Sequence, residues 1–143
     1  MVMPVVIDAT DTVLGRLASQ VAKRLLNGEE IVIINAEKAI ITGRPEEIKE
    51  RYKRKRELGG PMKPSKGPFY PRMPDRIVRR TIRGMLPYKK PSGRAAYKRC
   101  MVYIGVPPEY KDVEPERIDA KTTLPRSRYV YVGEVSKYLG AKF

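Results

Sequence analysis

Arg76, Arg79, Arg80 and Arg83 stand at i, i+3, i+4 and i+7, so a helix would line them up as one positive stripe. Guanidinium groups keep their charge at any ordinary pH and present a planar fork that suits phosphate or carboxylate oxygens. On an isolated helix each like-charged pair costs about a few tenths of a kcal/mol. Phosphates would relieve that repulsion and accept bidentate hydrogen bonds. A merely solvated face usually interleaves its signs, and this one does not. The chemistry on offer is therefore recognition of a polyanion.

The stripe belongs to a larger concentration of charge. Residues 49–99 hold 18 of the chain's 30 Lys and Arg but only three of its 16 acids, Glu50, Glu57 and Asp75. That leaves 12 basic and 13 acidic residues elsewhere, so one contiguous third carries the whole net charge of +14. Nucleic acid is the default partner for such a footprint. The candidate RNA-binding residues are Lys53, Arg54, Lys55 and Arg56, then Lys63, Lys66 and Arg72, then Arg76, Arg79, Arg80 and Arg83, then Lys89, Lys90 and Arg94. Arg79, Arg80, Arg83, Lys53, Arg54 and Arg56 are the expected main contacts. Phe69 and Tyr70 could stack on unpaired bases or pack back on the body. Arg126, Arg128 and Tyr129 could add contacts.

Other chemistries are poorly served. Histidine is absent, which removes the commonest general base and metal ligand. The lone Cys100 has no such base to activate it and reads as a small buried filler. It also excludes an intrachain disulfide, which points to a reducing compartment. There is no GxxxxGK[ST] loop; the stretch from Gly59 to Gly67 has the wrong spacing, and its prolines remove backbone donors. No GxGxxG fingerprint follows the first apolar run. Asp8 and Asp11 are better explained by caps or turns than by a metal pair. The expectation is no cofactor, no metal and no catalysis. The apolar run at Met1 to Ile7 meets Asp8 too soon for a signal peptide. No run approaches the roughly 18 to 20 apolar residues of a membrane span, so no membrane partner is expected.

These residues need a body to hold them. The chain's 143 residues, 41% hydrophobic, suit one domain over 1–143. Val5-Val6-Ile7 predicts a strand. Leu14, Leu17, Ala18, Val21, Ala22 and Leu25 predict one apolar helix face, with Asp11 or Thr12 as cap and Asn27-Gly28 as stop. Ile31 to Ile34 predicts a strand covered on both faces, which completes a βαβ unit with a right-handed crossover. Asn35 to Lys38 turns the chain before a short strand at Ala39-Ile40-Ile41.

A helix follows from Pro45, its acids at the positive end and its basic run at the negative end, with Lys53 to Arg56 projecting from the body. Residues 58–74 contain five prolines and three glycines and predict a basic loop extension. Asp75 is expected to cap a helix from Arg76 to Leu86, with Ile77, Val78, Thr81, Ile82 and Met85 on its inner side. Pro91-Ser92-Gly93 reads as a turn, Ala95 to Arg99 as a short helix, and Met101 to Ile104 as a strand. Residues 106–128, with acids at Glu109, Asp112, Glu114, Glu116 and Asp119, read as an irregular wrapping segment. Val132 to Leu139 reads as a last helix stopped by Gly140.

Four segments carry a family resemblance. They are Asp8 to Ser19 (DATDTVLGRLAS), Ile34 to Lys38 (INAEK) with Thr42-Gly43, Arg83 to Pro87 (RGMLP), and Gly93 to Ala96 (GRAA) before Val102-Tyr103-Ile104-Gly105. In this order and spacing the chain resembles the ribosomal protein L13 (universal uL13) family from about Val5 to about Leu139. Pro64 to Pro68 and the tail Tyr129 to Gly133 look like its archaeal and eukaryotic branch; the zone from Tyr52 to Gly60 lacks the histidine of bacterial members.

The resemblance implies a three-layer α/β/α fold with a four-stranded, mostly parallel sheet. It also implies a structural, non-catalytic constituent of the large ribosomal subunit that binds large-subunit rRNA and supports assembly. Neighbouring ribosomal proteins are expected partners, no homo-oligomer is expected, and the expected place is the ribosome in the cytoplasm. Two other readings stand beside it: a free-standing RNA-binding or ribosome assembly factor, and an RNA-acting or nucleotide-using enzyme on the same body. Co-sedimentation separates the first, and turnover of a nucleotide or RNA substrate would revive the second.

Overall fold

Strand β1 (Val5–Asp8), helix α1 (Leu14–Leu26) and strand β2 (Ile31–Ile34) form the expected βαβ unit. The computed structural model describes residues 4–57, 71–118 and 125–143. The predicted apolar stripe of α1 is its buried face, all six residues from Leu14 to Leu25 included. Its C-terminus closes at Asn27, and Gly28 takes the left-handed backbone (φ 95°) that lets the chain turn into β2.

The start of α1 differs from expectation. Val13 is the N-cap, and neither Asp11 nor Thr12 caps the helix. Asp11 instead sits in the left-handed region (φ 56°), where its carboxylate accepts a 2.8 Å hydrogen bond from the Tyr131 hydroxyl. A long-range partner has taken the carboxylate that local pattern would have given to the helix. That bond, and then burial, push the Tyr131 phenol up from 10.0 to about 12. A raised pKa in the fold means its stabilisation is present below about pH 10 and lost as pH rises through about 12. Ultraviolet titration should show one tyrosine ionising near pH 12. A Tyr131→Phe variant that leaves the high-pH step in place would contradict the assignment.

β2 lies centrally. β1 pairs with it in parallel, Val5 opposite Ile31 through Asp8 opposite Ile34, and β4 (Cys100–Val102) pairs in parallel on its other side. Ile7, Ile31, Ile33, Cys100 and Val102 join the main core with α1. The alternate residues Val6, Val32 and Ile34 form a second cluster, packed by Tyr103, Tyr110 and Val113. Every residue of β2 is buried, as its unbroken apolar run predicts.

The expected four-stranded sheet is not what forms. Among the described residues the parallel sheet has three strands, and a separate antiparallel pair joins β3 (Ile40–Thr42) to β5 (Tyr129–Tyr131). At the outer edge of β1, Glu116 makes only an isolated bridge: its N–H donates to the Val6 carbonyl, and its carbonyl accepts from Asp8 N–H. Gly105 (φ 66°) and the Pro107-Pro108 pair turn the chain off the end of β4, which stops at Val102 rather than Ile104.

Helices α2 (Pro45–Glu57), α3 (Pro74–Gly84), α4 (Pro91–Lys98) and α5 (Val132–Tyr138) complete the described fold. α3 begins at Pro74, not Arg76. Met73 is its N-cap and Asp75 lies in the first turn, because proline is pre-organised for the first helical position. The helix ends at Gly84, so its period does not carry on: Met85 is 43% exposed, and Leu86 enters the core instead. α4 likewise starts at Pro91, absorbing the stretch expected to be a turn. Cys100 is fully buried, and burial pushes its thiol up to about 12 despite the nearby Arg79 charge.

Candidate nucleic-acid interface

α3 owes its position to its inner side. Ile77, Val78 and Ile82 are fully buried and pack towards α1 and β4. Burying each such side chain is worth about 1.5–3 kcal/mol relative to exposure, which fixes the helix's rotation. The arginines are left on the outer side, Arg76 exposed and Arg79, Arg80 and Arg83 half-buried. They line a groove of about 940 Å³ together with Arg72, Tyr97 and Lys142.

Among the described residues, six cations and no carboxylate line this groove, Asp75 being absent from its wall. The ion pairs at Arg24, Arg44, Arg117 and Arg126 all lie elsewhere. Close like charges in a concave, partly desolvated setting raise one another's potential and focus it outward.

Arg79 also serves the fold. Its Nε donates to the Cys100 carbonyl at 3.2 Å, a second nitrogen reaches the Tyr97 carbonyl at 3.5 Å, and its Cζ lies over the Tyr97 ring, 4.1 Å from the centroid. Cys100 belongs to β4, so this side chain satisfies a strand carbonyl while lining the groove. Sequence reasoning made Arg79 a main contact; the structure gives it a second, internal task. Arg83 lies 5.1 Å over the Tyr88 ring, and Tyr88 meets Tyr97 edge-on.

The other described candidates are not in the groove wall. Lys53 and Arg54 are exposed on α2, Lys55 lies 5.0 Å over the Tyr52 ring, and Arg56 belongs to the last turn of the same helix. Lys89, Lys90 and Arg94 are exposed around the start of α4, where Arg94 donates to the Lys89 carbonyl. Lys63, Lys66, Phe69 and Tyr70 lie outside the described residues. Arg126 is engaged by Glu134 and by the rings of Tyr129 and Tyr131, whereas Arg128 is exposed beside Arg44 at the start of α2.

The acidic pair considered for metal is occupied by the fold. Burial opposes ionisation of Asp8, but hydrogen bonds from the Thr10 hydroxyl, the Thr10 N–H and the Asn35 amide, with the Arg117 charge, outweigh it and lower its pKa. Among the described residues no group of three or more His, Cys, Asp or Glu could hold a metal ion, and no helix is long and apolar enough to cross a membrane.

The motif segments prove to be joints of this body. Asn35, left-handed at φ 56°, ties Asp8 to the end of β2, and the Glu37 carboxylate accepts the Gly105 N–H at 3.0 Å. Gly93 lies against the Pro87 carbonyl, so the third and fourth segments touch. The family model described as ribosomal protein L13 matches residues 3–109. The chain belongs to the ribosomal protein L13 family.

Its relatives agree over nearly the full length. The chain is 52% identical to the large ribosomal subunit protein uL13 of Methanocaldococcus jannaschii, covering 96% of this chain and 98% of that one. It is 54% identical to the uL13 of Methanopyrus kandleri (94% and 86%) and 51% identical to that of Archaeoglobus fulgidus (94% and 86%). Two groove residues escaped the reading of the sequence. Tyr97 carries no signal beyond being aromatic, and Lys142 follows the Gly140 stop, with no periodicity to place it.

Proposed function

We propose that this chain is a structural, non-enzymatic constituent of the large ribosomal subunit that holds rRNA through the groove along α3. One observation carries the reading at residue level: among the described residues, six cations and no acid line one recess. Family membership supplies the ribosome, and the charge supplies the partner's chemistry. Arg72, Arg76, Arg80 and Arg83 neutralise phosphates directly, and Arg79 does so while bracing β4. Lys53, Arg54, Lys55 and Arg56, with Lys89, Lys90 and Arg94, form two further contact patches, and Lys63 and Lys66, outside the described residues, add phosphate contacts. The chain acts as one domain over 1–143, α/β in class, with residues 106–128 as its irregular wrap. Neighbouring large-subunit proteins complete its surroundings, in the cytoplasmic ribosome.

Lys and Arg on phosphates displace counterions, so binding weakens steeply with salt. A stoichiometric subunit should stay with large subunits washed in moderate salt on a sucrose gradient and leave only as salt rises further. Quantitative loss in the first wash would favour a free-standing assembly factor instead.

A further inference from the structure

The α3 groove is lined by four stretches of chain, Pro71 to Met73 and Tyr97 of α4 among them. Arg76, Arg80 and Arg83 come from α3, and Gly140, Ala141 and Lys142 come from the segment after α5. We infer that this recess grips a single unpaired RNA strand rather than a face of a duplex, an inference that rests on the rRNA-binding function proposed above.

Size is the first argument. The recess measures about 940 Å³. That lies at the top of the roughly 300–1,000 Å³ range of clefts that enclose one small ligand. It is room for a nucleotide or two and their phosphates. An A-form duplex is far broader and offers proteins a wide, shallow minor groove, which is met by elements that protrude into it. A recess bounded by α3 and by the Gly140–Lys142 stretch does not meet that surface.

Composition is the second argument. A surface for duplex phosphates needs only charge. This one also holds Tyr97 and Met73, and the Arg79 guanidinium stacked on Tyr97. Unpaired bases stack on aromatic rings and on guanidinium planes, whereas the bases of a duplex are hidden from both. Charge along the backbone path and stacking surfaces beside it together make the pattern of a single-strand groove. From Arg76 to Arg83 the helix rises about 10 Å, so the cations follow a strand past more than one phosphate.

Lys142 gives the cleanest test. It is exposed, so Lys142→Glu leaves the core intact. The probes are a fluorescent oligouridylate and a blunt RNA duplex of matched length, each titrated with the full chain by anisotropy. Lys142→Glu and Arg76→Glu should each weaken the oligouridylate by about tenfold, while the duplex, bound through the outer patches, weakens by less than about threefold. Lys53→Glu, outside the groove, should not discriminate between the probes. Equal losses on both probes for the groove variants would overturn the single-strand assignment and leave rRNA binding standing. Failure of the unmutated chain to bind either probe would remove both.

Discussion

Replacing Arg76, Arg80 and Arg83 together by glutamate is expected to lower affinity for large-subunit rRNA by about 10²–10³-fold at moderate salt. Each lost phosphate contact also removes about 0.7–0.9 from the slope of log K against log salt, so the slope should flatten by about 2–3. Arg79 is deliberately spared. Its guanidinium holds the Cys100 and Tyr97 carbonyls, so changing it would confuse loss of binding with loss of fold. The other three stand on the outer side of α3, whose packing is carried by Ile77, Val78 and Ile82. A filter-binding titration decides the matter. An unchanged affinity, with a normal thermal melt, would leave the stripe without its proposed role.

Of the described glycines, Gly93 should tolerate a methyl group least, so Gly93→Ala is expected to destabilise the fold strongly. A Cβ there would stand 1.9 Å from the Pro87 carbonyl oxygen, 2.3 Å from its carbon and 2.9 Å from the Tyr88 nitrogen. All three are backbone atoms, so no side chain can swing aside. α4 would have to move off the turn it rests on, disturbing its packing on α1 and the edge-on contact of Tyr88 with Tyr97. Overpacking of this severity costs roughly 3 kcal/mol. In a domain of this size that lowers the melting temperature by about 10 °C. Gly15→Ala is the control, since a Cβ there meets nothing within 4 Å. Equal melting temperatures for the two variants would show that the close approach at Gly93 has no energetic weight.

What could be read from the residues alone followed locality. The α1 stripe from Leu14 to Leu25, the central strand at Ile31 to Ile34 and the start of α2 at Pro45 are set by neighbours a few positions away, and they stand where periodicity put them. The misses have non-local causes. Asp11 gave up its cap to Tyr131, a residue at the far end of the chain. Pro91-Ser92-Gly93 carries every mark of a turn, yet it opens a helix because Gly93 is the one residue small enough to lie on Pro87. The four-stranded sheet was an inference from family resemblance, and the short strand read at Ala39-Ile40-Ile41 pairs instead with Tyr129–Tyr131 from the far end of the chain. For the interface, charge and spacing named five of the six groove cations. Lys142 depended on where the last helix sends the chain, and no short pattern encodes that.

The pairing of β3 with β5 has a consequence for biosynthesis. Ile41 must wait for Val130, and Val32 must wait for Met101, before either pairing can close. Contacts this distant along the chain make for slow folding. The cationic middle therefore leaves the exit tunnel while its own scaffold is incomplete, so a nascent chain meets polyanions before it has a groove to select them. Correct assembly then depends on the order of events as much as on complementarity, and an early, indiscriminate embrace by RNA is the hazard that chaperoning of this chain would have to prevent.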